Sequence, residues 1–338
     1  MNQDNYLQKR ERRIFAILYT LLLIIWGISF FSRLGLSYYQ RYFPVPLTMV
    51  FGSFIGGFTC EGGGAIAFPV FTKILHIEPY VARDFSFAVQ SIGMTFASLT
   101  ILLRRIPIEK NVAKFAIVGG FAGIAFGTYH VAPLVSPGNA RLLFTLVVTS
   151  FGVALALKNF VLKTRENSNI VYFRGVDTLI LMSIGFLGGI FSSIIGTGVH
   201  FITFSFVTLL YKLDEKVATP TSVIIMAMDS IFGFALRGLV LQQFSGQALI
   251  YWVLCIPVVA LCAPLGAIMC SKVSRMFVVK FLLFLISIEF ISTLCIFHFS
   301  IQTLLLSATV IMFSFIGYAL LIRVANKLPA NNEIKLSA

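Results

Sequence analysis

Two apolar segments of this chain, near 45–75 and 176–212, are too long for one membrane crossing, and glycine interrupts both. The first break is Gly62-Gly63-Gly64, directly after Glu61; the second is Gly196-Thr197-Gly198. A hydrocarbon core of about 30 Å takes roughly 20 helical residues. Within it, broken helix is tolerated only where the freed backbone is buried in protein or lines a cavity. Paired interruptions therefore restrict the chain to folds in which two broken segments meet inside a helical membrane bundle.

The remaining apolar segments fall near 14–32, 82–103, 111–131, 140–160, 217–240, 247–270, 276–297 and 301–323, each about one membrane thickness. Only 12% of the 338 residues are charged, about half the usage of soluble domains. An all-α polytopic membrane protein is predicted. The net charge of +13 would suggest nucleic acid in a soluble chain. Here the basic residues lie mostly between apolar runs and read as topology signals facing anionic lipid, so no nucleic-acid partner is expected. Lys9, Arg10, Arg12 and Arg13 precede an apolar run from Ile14 to Ser32 with no small-x-small cleavage site, which predicts a retained first helix.

The positive-inside rule decides how the two long segments run. If each crossed once, Arg104, Arg105, Lys110, Lys158, Lys163, Arg165 and Arg174 would lie outside. If each enters, turns at its glycines and returns, those residues join the N-tail, Lys212, Lys216, Lys272, Arg275, Arg323, Lys327 and Lys335 inside. The loops near 132–139, 242–247 and 298–302 then lie outside and carry no Lys or Arg. The hairpin arrangement is predicted, with both termini cytoplasmic. Segment 45–75 then starts outside and 176–212 inside, each followed by three spans. The chain reads as inverted-topology repeats: an N-tail and first helix (1–43), repeat 1 (44–163), a basic cytoplasmic linker (164–175), repeat 2 (176–298), and a last helix with C-tail (299–338). Ala82-Arg83-Asp84-Phe85-Ser86 after the first hairpin and Ala218-Thr219-Pro220-Thr221-Ser222 after the second mark corresponding places. Such repeats, with discontinuous helices at their interface, are a common build of secondary transporters.

A half-helix of about 12 residues is roughly 18 Å long and reaches mid-membrane. The first tip would carry Thr59-Cys60-Glu61-Gly62-Gly63-Gly64, and the second Ser192-Ser193-Ile194-Ile195-Gly196-Thr197-Gly198. Return arms beginning near Ala65 and Val199 would point their N-terminal N–H groups and positive dipole ends at the midplane. That predicts an anion site built mainly from backbone, which glycine lets approach closely.

These residues resemble a known pattern. Gly52-Ser53-Phe54-Ile55-Gly56-Gly57, Gly62-Gly63-Gly64, Phe68-Pro69, Ala82 and Ser86 are similar to the first repeat of the sulfite exporter TauE/SafE family of membrane permeases. Gly185-Phe186-Leu187-Gly188-Gly189, Gly196-Thr197-Gly198, Ala218 and Thr221-Ser222 are similar to its second. The resemblance covers roughly 45–320. It implies transport of sulfite, a sulfonate or a related organosulfur acid through inverted repeats. Glu61 beside the glycine run, and Thr197 between glycines, depart from that pattern.

Glu61 is the sharpest single residue, because a carboxylate at mid-membrane costs at least about 2.5 kcal/mol and is functional by default. Beside a bound anion it would have to carry a proton, which predicts proton coupling. Asp229, mid-span with Arg237 eight residues on along roughly the same face, is a second proton-coupling candidate; a cross-helix ion pair or a gate, and a satisfied structural polar group, are the other readings. Ser192, Ser193 and Thr197 at the second tip, with Gln90, Ser91, Thr221 and Ser222 on the following helices, would complete the substrate site; interhelical hydrogen bonding uses the same residues. Glu289 reads as structural or lipid-adjacent, and Arg83 with Asp84 as a local pair or interface anchor. Gly119, Gly120, Gly123 and Gly127 read as close helix packing.

The five cysteines (Cys60, Cys255, Cys262, Cys270, Cys295) have neither zinc nor disulfide spacing. The four histidines are dispersed, with His200 alone near a tip. No His-Glu-x-x-His, nucleophile–base motif or nucleotide-binding loop occurs, so an enzyme, an ATP-driven pump and a cofactor are not expected. The sequence predicts a secondary transporter of a small sulfur-containing anion in a plasma or bacterial inner membrane. An anion channel and a proton- or Na⁺-coupled carrier of another solute stay open as alternatives. Its partners would be the anion and the lipid bilayer, with a homodimer left open.

Overall fold

The computed structural model describes residues 3–33, 35–63, 69–162, 166–170, 173, 175–296 and isolated positions between 301 and 323. Several sequence-based expectations lie outside the described residues. They are Gly64 and Phe68, the first return arm's start near Ala65, Lys163, Arg165 and Arg174 of the linker, and most of the final helix and tail with Lys327 and Lys335. The side chains of Lys9 and Arg12 lie outside them too.

The described chain is helical, with one isolated bridge between Asn167 and Leu213. Its helices are α1 (Gln3–Arg33), α2 (Leu36–Tyr42), α3 (Pro44–Phe58), α4 (Pro79–Leu103), α5 (Lys110–Phe126), α6 (Pro137–Ala156), α7 (Gly175–Ile195), α8 (Val199–Leu210), α9 (Glu215–Ala235), α10 (Gly246–Lys272) and α11 (Arg275–Ile296). Eight of them (α1, α4, α5, α6, α7, α9, α10 and α11) are long and apolar enough to cross a membrane, while α3 and α8 are shorter. This is the build of a multi-pass membrane protein. Outward apolar residues such as Ile24, Ile28, Phe284 and Ile291 suit contact with lipid tails.

The two broken segments fold back on themselves. Tyr211, just past α8, donates its hydroxyl hydrogen to Asp177 Oδ1 at 2.7 Å, so the outer ends of α7 and α8 lie together. On the first segment, Tyr42 and the returning Phe71 both pack on Tyr251 of α10. The arms are unequal, however. Half-helices of about 12 residues were expected; α8 has 12, but α3 has 15 and α7 has 21. The tip-side half of α7 carries a glycine face against α5.

That face brings backbone against backbone. A Cβ on Gly119 or Gly123 of α5 would collide with the main-chain carbonyl of Met182 or Phe186 on α7. One on Gly185 or Gly189 would collide with that of Ala116 or Gly120 in return. The pairing α3–α10 uses the same device, with Gly57 against the Ala263 carbonyl and Gly266 against that of Phe54. In lipid, where helix association depends on van der Waals packing and hydrogen bonds, such backbone approach supplies the stabilisation. The central helices α4 and α9 pack directly on each other, and Ser230 of α9 donates to Gln90 Oε1 of α4 at 3.1 Å.

α10 is interrupted by Pro257 and Pro264. A proline supplies no N–H to the carbonyl four residues back. The Val253 carbonyl that Pro257 leaves open is taken by the indole N–H of Trp26 on α1, at 2.7 Å. Tyr39 of α2, a short helix absent from the sequence reading, donates to the neighbouring Leu254 carbonyl at 2.7 Å. At its other end α10 is closed by Lys216, whose Nζ lies 2.8 Å from the carbonyls of Cys270 and Ser271.

Candidate functional site between two hairpin tips

The first tip is the turn from Thr59 to Gly63. Thr59 Oγ1 donates to the Ile55 carbonyl at 3.0 Å and accepts from Glu61 N at 3.4 Å, which ends α3 and turns the chain. Gly62 then adopts φ +76°, a left-handed conformation that glycine takes without strain. A Cβ there would sit 2.7 Å from Met226 Sδ and 3.0 Å from His200 Nε2, so this tip lies against α9 and against the second tip. Gly63 folds back on α3, 3.1 Å from the Gly52 carbonyl by the same measure.

The second tip turns at Gly196, with φ +84°. Gly196 fits beside α4: a Cβ would lie 2.5 Å from the Arg83 carbonyl and 2.8 Å from Ser86 Cβ. Ser192 and Ser193 belong to the last turn of α7, so the loop proper is shorter than expected. Ser192 Oγ accepts from Val199 N at 3.1 Å and caps the first turn of α8. The N-terminus of the return arm is thus partly satisfied within the protein, where the sequence predicted free N–H groups.

The tips meet around a small cavity. Glu61 of the first tip and Thr197 and Gly198 of the second line it, and Phe144, Val148, Phe191 and Phe201 wall it from α6, α7 and α8. Its free space is about that of a single water molecule. Glu61 is 4% exposed, and its Oε1 has no hydrogen-bond partner among the described residues. Thr197 Oγ1 lies 3.0 Å from His200 Nε2 within the second hairpin, and a Cβ on Gly62 of the first tip would come within 3.0 Å of the same nitrogen. One imidazole therefore lies between the two tips. An unsatisfied buried carboxylate oxygen is expensive, and here it faces a shared cavity.

Asp229 is buried on α9 with neither carboxylate oxygen bonded; it faces Gly120 of α5, where a Cβ would come within 2.6 Å of Oδ1. It does not pair with Arg237. That guanidinium instead donates from Nε to Asp84 Oδ1 at 2.8 Å, and Asp84 also accepts from Ser245 N at 3.0 Å. The cross-helix ion pair is thus made by Arg237 with Asp84 on the packed neighbour α4, and Asp229 takes no part in it.

The other predicted polar residues are distributed more widely. Gln90 joins Ser86, beside the second tip, to Ser230. Ser91 donates to the Ala88 carbonyl, Ser193 to that of Ile190, and Ser222 to that of Thr219, each within its own helix. Thr221 donates to Val217 and accepts from Glu109 N at 2.9 Å, which fastens the loop before α5. Of the predicted site residues, the cavity thus gathers Glu61, Thr197 and Gly198.

Two charge clusters escaped the sequence reading. Lys73, in the π-helical turn Val70–Ile74, pairs with Glu289 Oε1 at 2.9 Å. The buried lysine was a visible signal inside an apolar segment, but its partner lies 216 positions away. At the face carrying the basic loops, Lys158 and Arg275 each bridge Glu166 and Glu215, at 2.7–3.1 Å. Burial, and then the Glu215 carboxylate, push the Glu166 carboxyl above its ordinary value against the pull of Lys158 and Arg275.

The profile of the sulfite exporter TauE/SafE family matches residues 45–292, which includes both broken segments and the helices after each. No curated protein and no solved structure matches the chain. The match covers well over half of the sequence and agrees with eight helices fit to cross a membrane. The chain belongs to the sulfite exporter TauE/SafE family, whose members are membrane transporters.

Proposed function

We propose that this protein is a secondary active transporter of a small sulfur-containing anion such as sulfite or a sulfonate, coupled to protons, with its site between the two hairpin tips. The observation that carries this reading is the cavity into which Glu61 and Thr197 both face, with Glu61 Oε1 unpartnered. Carrying a proton, Glu61 donates a hydrogen bond to an oxyanion; ionised, it repels one. Loading of anion and proton is thereby linked at one residue. Asp229, also unpartnered, is the second proton carrier in this reading. Free space of only about one water means that the tips part to admit substrate, and the contact of His200 with Gly62 is what must open.

The two halves act as inverted repeats in a cell membrane, with the basic loops and both termini on the cytoplasmic side. Supporting this is an exchange in the packing. The first broken segment lies on α10 of the second half, and the second lies on α5 of the first half, each through glycine–carbonyl contacts. Corresponding helices α4 and α9 pack on each other between them.

Binding of sulfite and of a small sulfonate to purified wild type, Glu61→Gln and Thr197→Ala tests the site. Wild type should bind at least one of them, and binding should become independent of pH in Glu61→Gln. Wild-type pH dependence persisting in the variant would remove Glu61 from the coupling.

A further inference from the structure

We propose that Lys73 is the cation that receives the transported anion, and that Glu289 is its resting partner, occupying the anion's place in the empty carrier. This rests on the reading of the chain as a small-anion carrier and names the group that neutralises the substrate's charge. Lys73 stands on the returning arm of the first hairpin, with its side chain 6% exposed. Its Nζ lies 2.9 Å from Glu289 Oε1, 2.9 Å from Ser292 Oγ and 2.9 Å from Thr293 Oγ1. Both hydroxyls donate to the main-chain carbonyl of Glu289, so they turn oxygen lone pairs toward the ammonium. The three donors of the ammonium thus meet three oxygens. A tetrahedral or pyramidal oxyanion presents the same kind of array.

The pair is tied to α6, the helix that carries two walls of the cavity. Thr145 of α6 donates to Glu289 Oε1 at 2.8 Å, and it directly follows Phe144, a wall of the space that Glu61 and Thr197 line. Among the described residues, Lys73 is the one ion-paired cation on either broken segment; Arg83, Lys158 and Arg237 stand near the ends of full-length helices. Lysine suits a change of partner, being a compact charge on a flexible stem with rotatable donors. When Lys73 turns to the anion, Thr145 and Thr293 remain within hydrogen-bond reach of Glu289 Oε1. A buried ion pair adds little stability over a well-packed apolar pair, whereas exchange of partners requires one.

The test compares sulfite binding, by calorimetry and by the sulfite-induced rise in melting temperature, in wild type, Lys73→Gln, Glu289→Gln and the exchanged pair Lys73→Glu/Glu289→Lys. Lys73→Gln should lose at least tenfold in affinity. Glu289→Gln should melt lower without ligand, bind sulfite at least as tightly as wild type, and gain a larger rise in melting temperature from it. The exchanged pair should melt near wild type yet bind as poorly as Lys73→Gln, and it carries the test if that variant does not fold. Equal loss of melting temperature in both single variants, with sulfite affinity unchanged, would make the pair structural and overturn the inference alone. Failure of the wild type to bind sulfite or a small sulfonate would overturn the anion reading itself.

Discussion

His200 and Thr197 are bonded where the two hairpin tips meet: His200 Nε2 lies 3.0 Å from Thr197 Oγ1, and the same ring abuts Gly62 of the opposite tip. His200 opens α8, so its position is fixed by the turn at Gly196 and the cap from Ser192. If this contact holds the closed state, His200→Ala loosens the tips. A lost buried hydrogen bond costs about 1–3 kcal/mol. The variant should melt lower in detergent, and its cavity should admit water-soluble reagents that the wild type excludes. Wild-type melting would show that the bond carries no weight.

Glycine contacts between helices should be intolerant of a single methyl group. Gly123→Ala places a Cβ on the Phe186 carbonyl, and Gly266→Ala places one on that of Phe54. Overpacking of this kind costs about 1–3 kcal/mol. Gly138→Ala and Gly175→Ala, which meet nothing within 4 Å, are the controls and should melt like wild type.

The break at Pro257 is repaired from another helix. Trp26→Phe removes the donor to the Val253 carbonyl and should destabilise by about 0.6–2 kcal/mol. Pro257→Ala restores an N–H four residues on, so the double variant should recover most of that loss. Additive loss in the double-mutant cycle would separate the two residues.

Asp84 and Arg237 form a buried pair across α4 and the turn after α9. Removing one partner, as in Arg237→Met, leaves a buried charge and should cost about 3–5 kcal/mol. The doubly neutral Asp84→Asn/Arg237→Met should be closer to wild type. Unfolding of the solubilised protein measures both.

The eight spans of the described residues and both tip positions were legible in the sequence, because apolar length and glycine interruption are local signals. Glu61 was legible because a carboxylate in an apolar run is conspicuous. Partners across the bundle were not. Arg237 chose Asp84 over Asp229, and Lys73 chose Glu289, through packing that no local spacing encodes. Thr221 looked like a site residue by its place in the second half, yet its hydroxyl secures Glu109. Ser193 points toward Gly127 of a neighbouring helix, not toward the tips. Small hydroxyl side chains serve either role, and only the direction of the helix face decides.

The most direct test of the central claim is sulfite accumulation in proteoliposomes under an imposed pH gradient, comparing wild type with Glu61→Gln. The account predicts accumulation above equilibrium in wild type, collapsed by dissipating the gradient and absent in the variant. Gradient-driven accumulation that survives in Glu61→Gln would contradict the placing of proton and anion together between the tips.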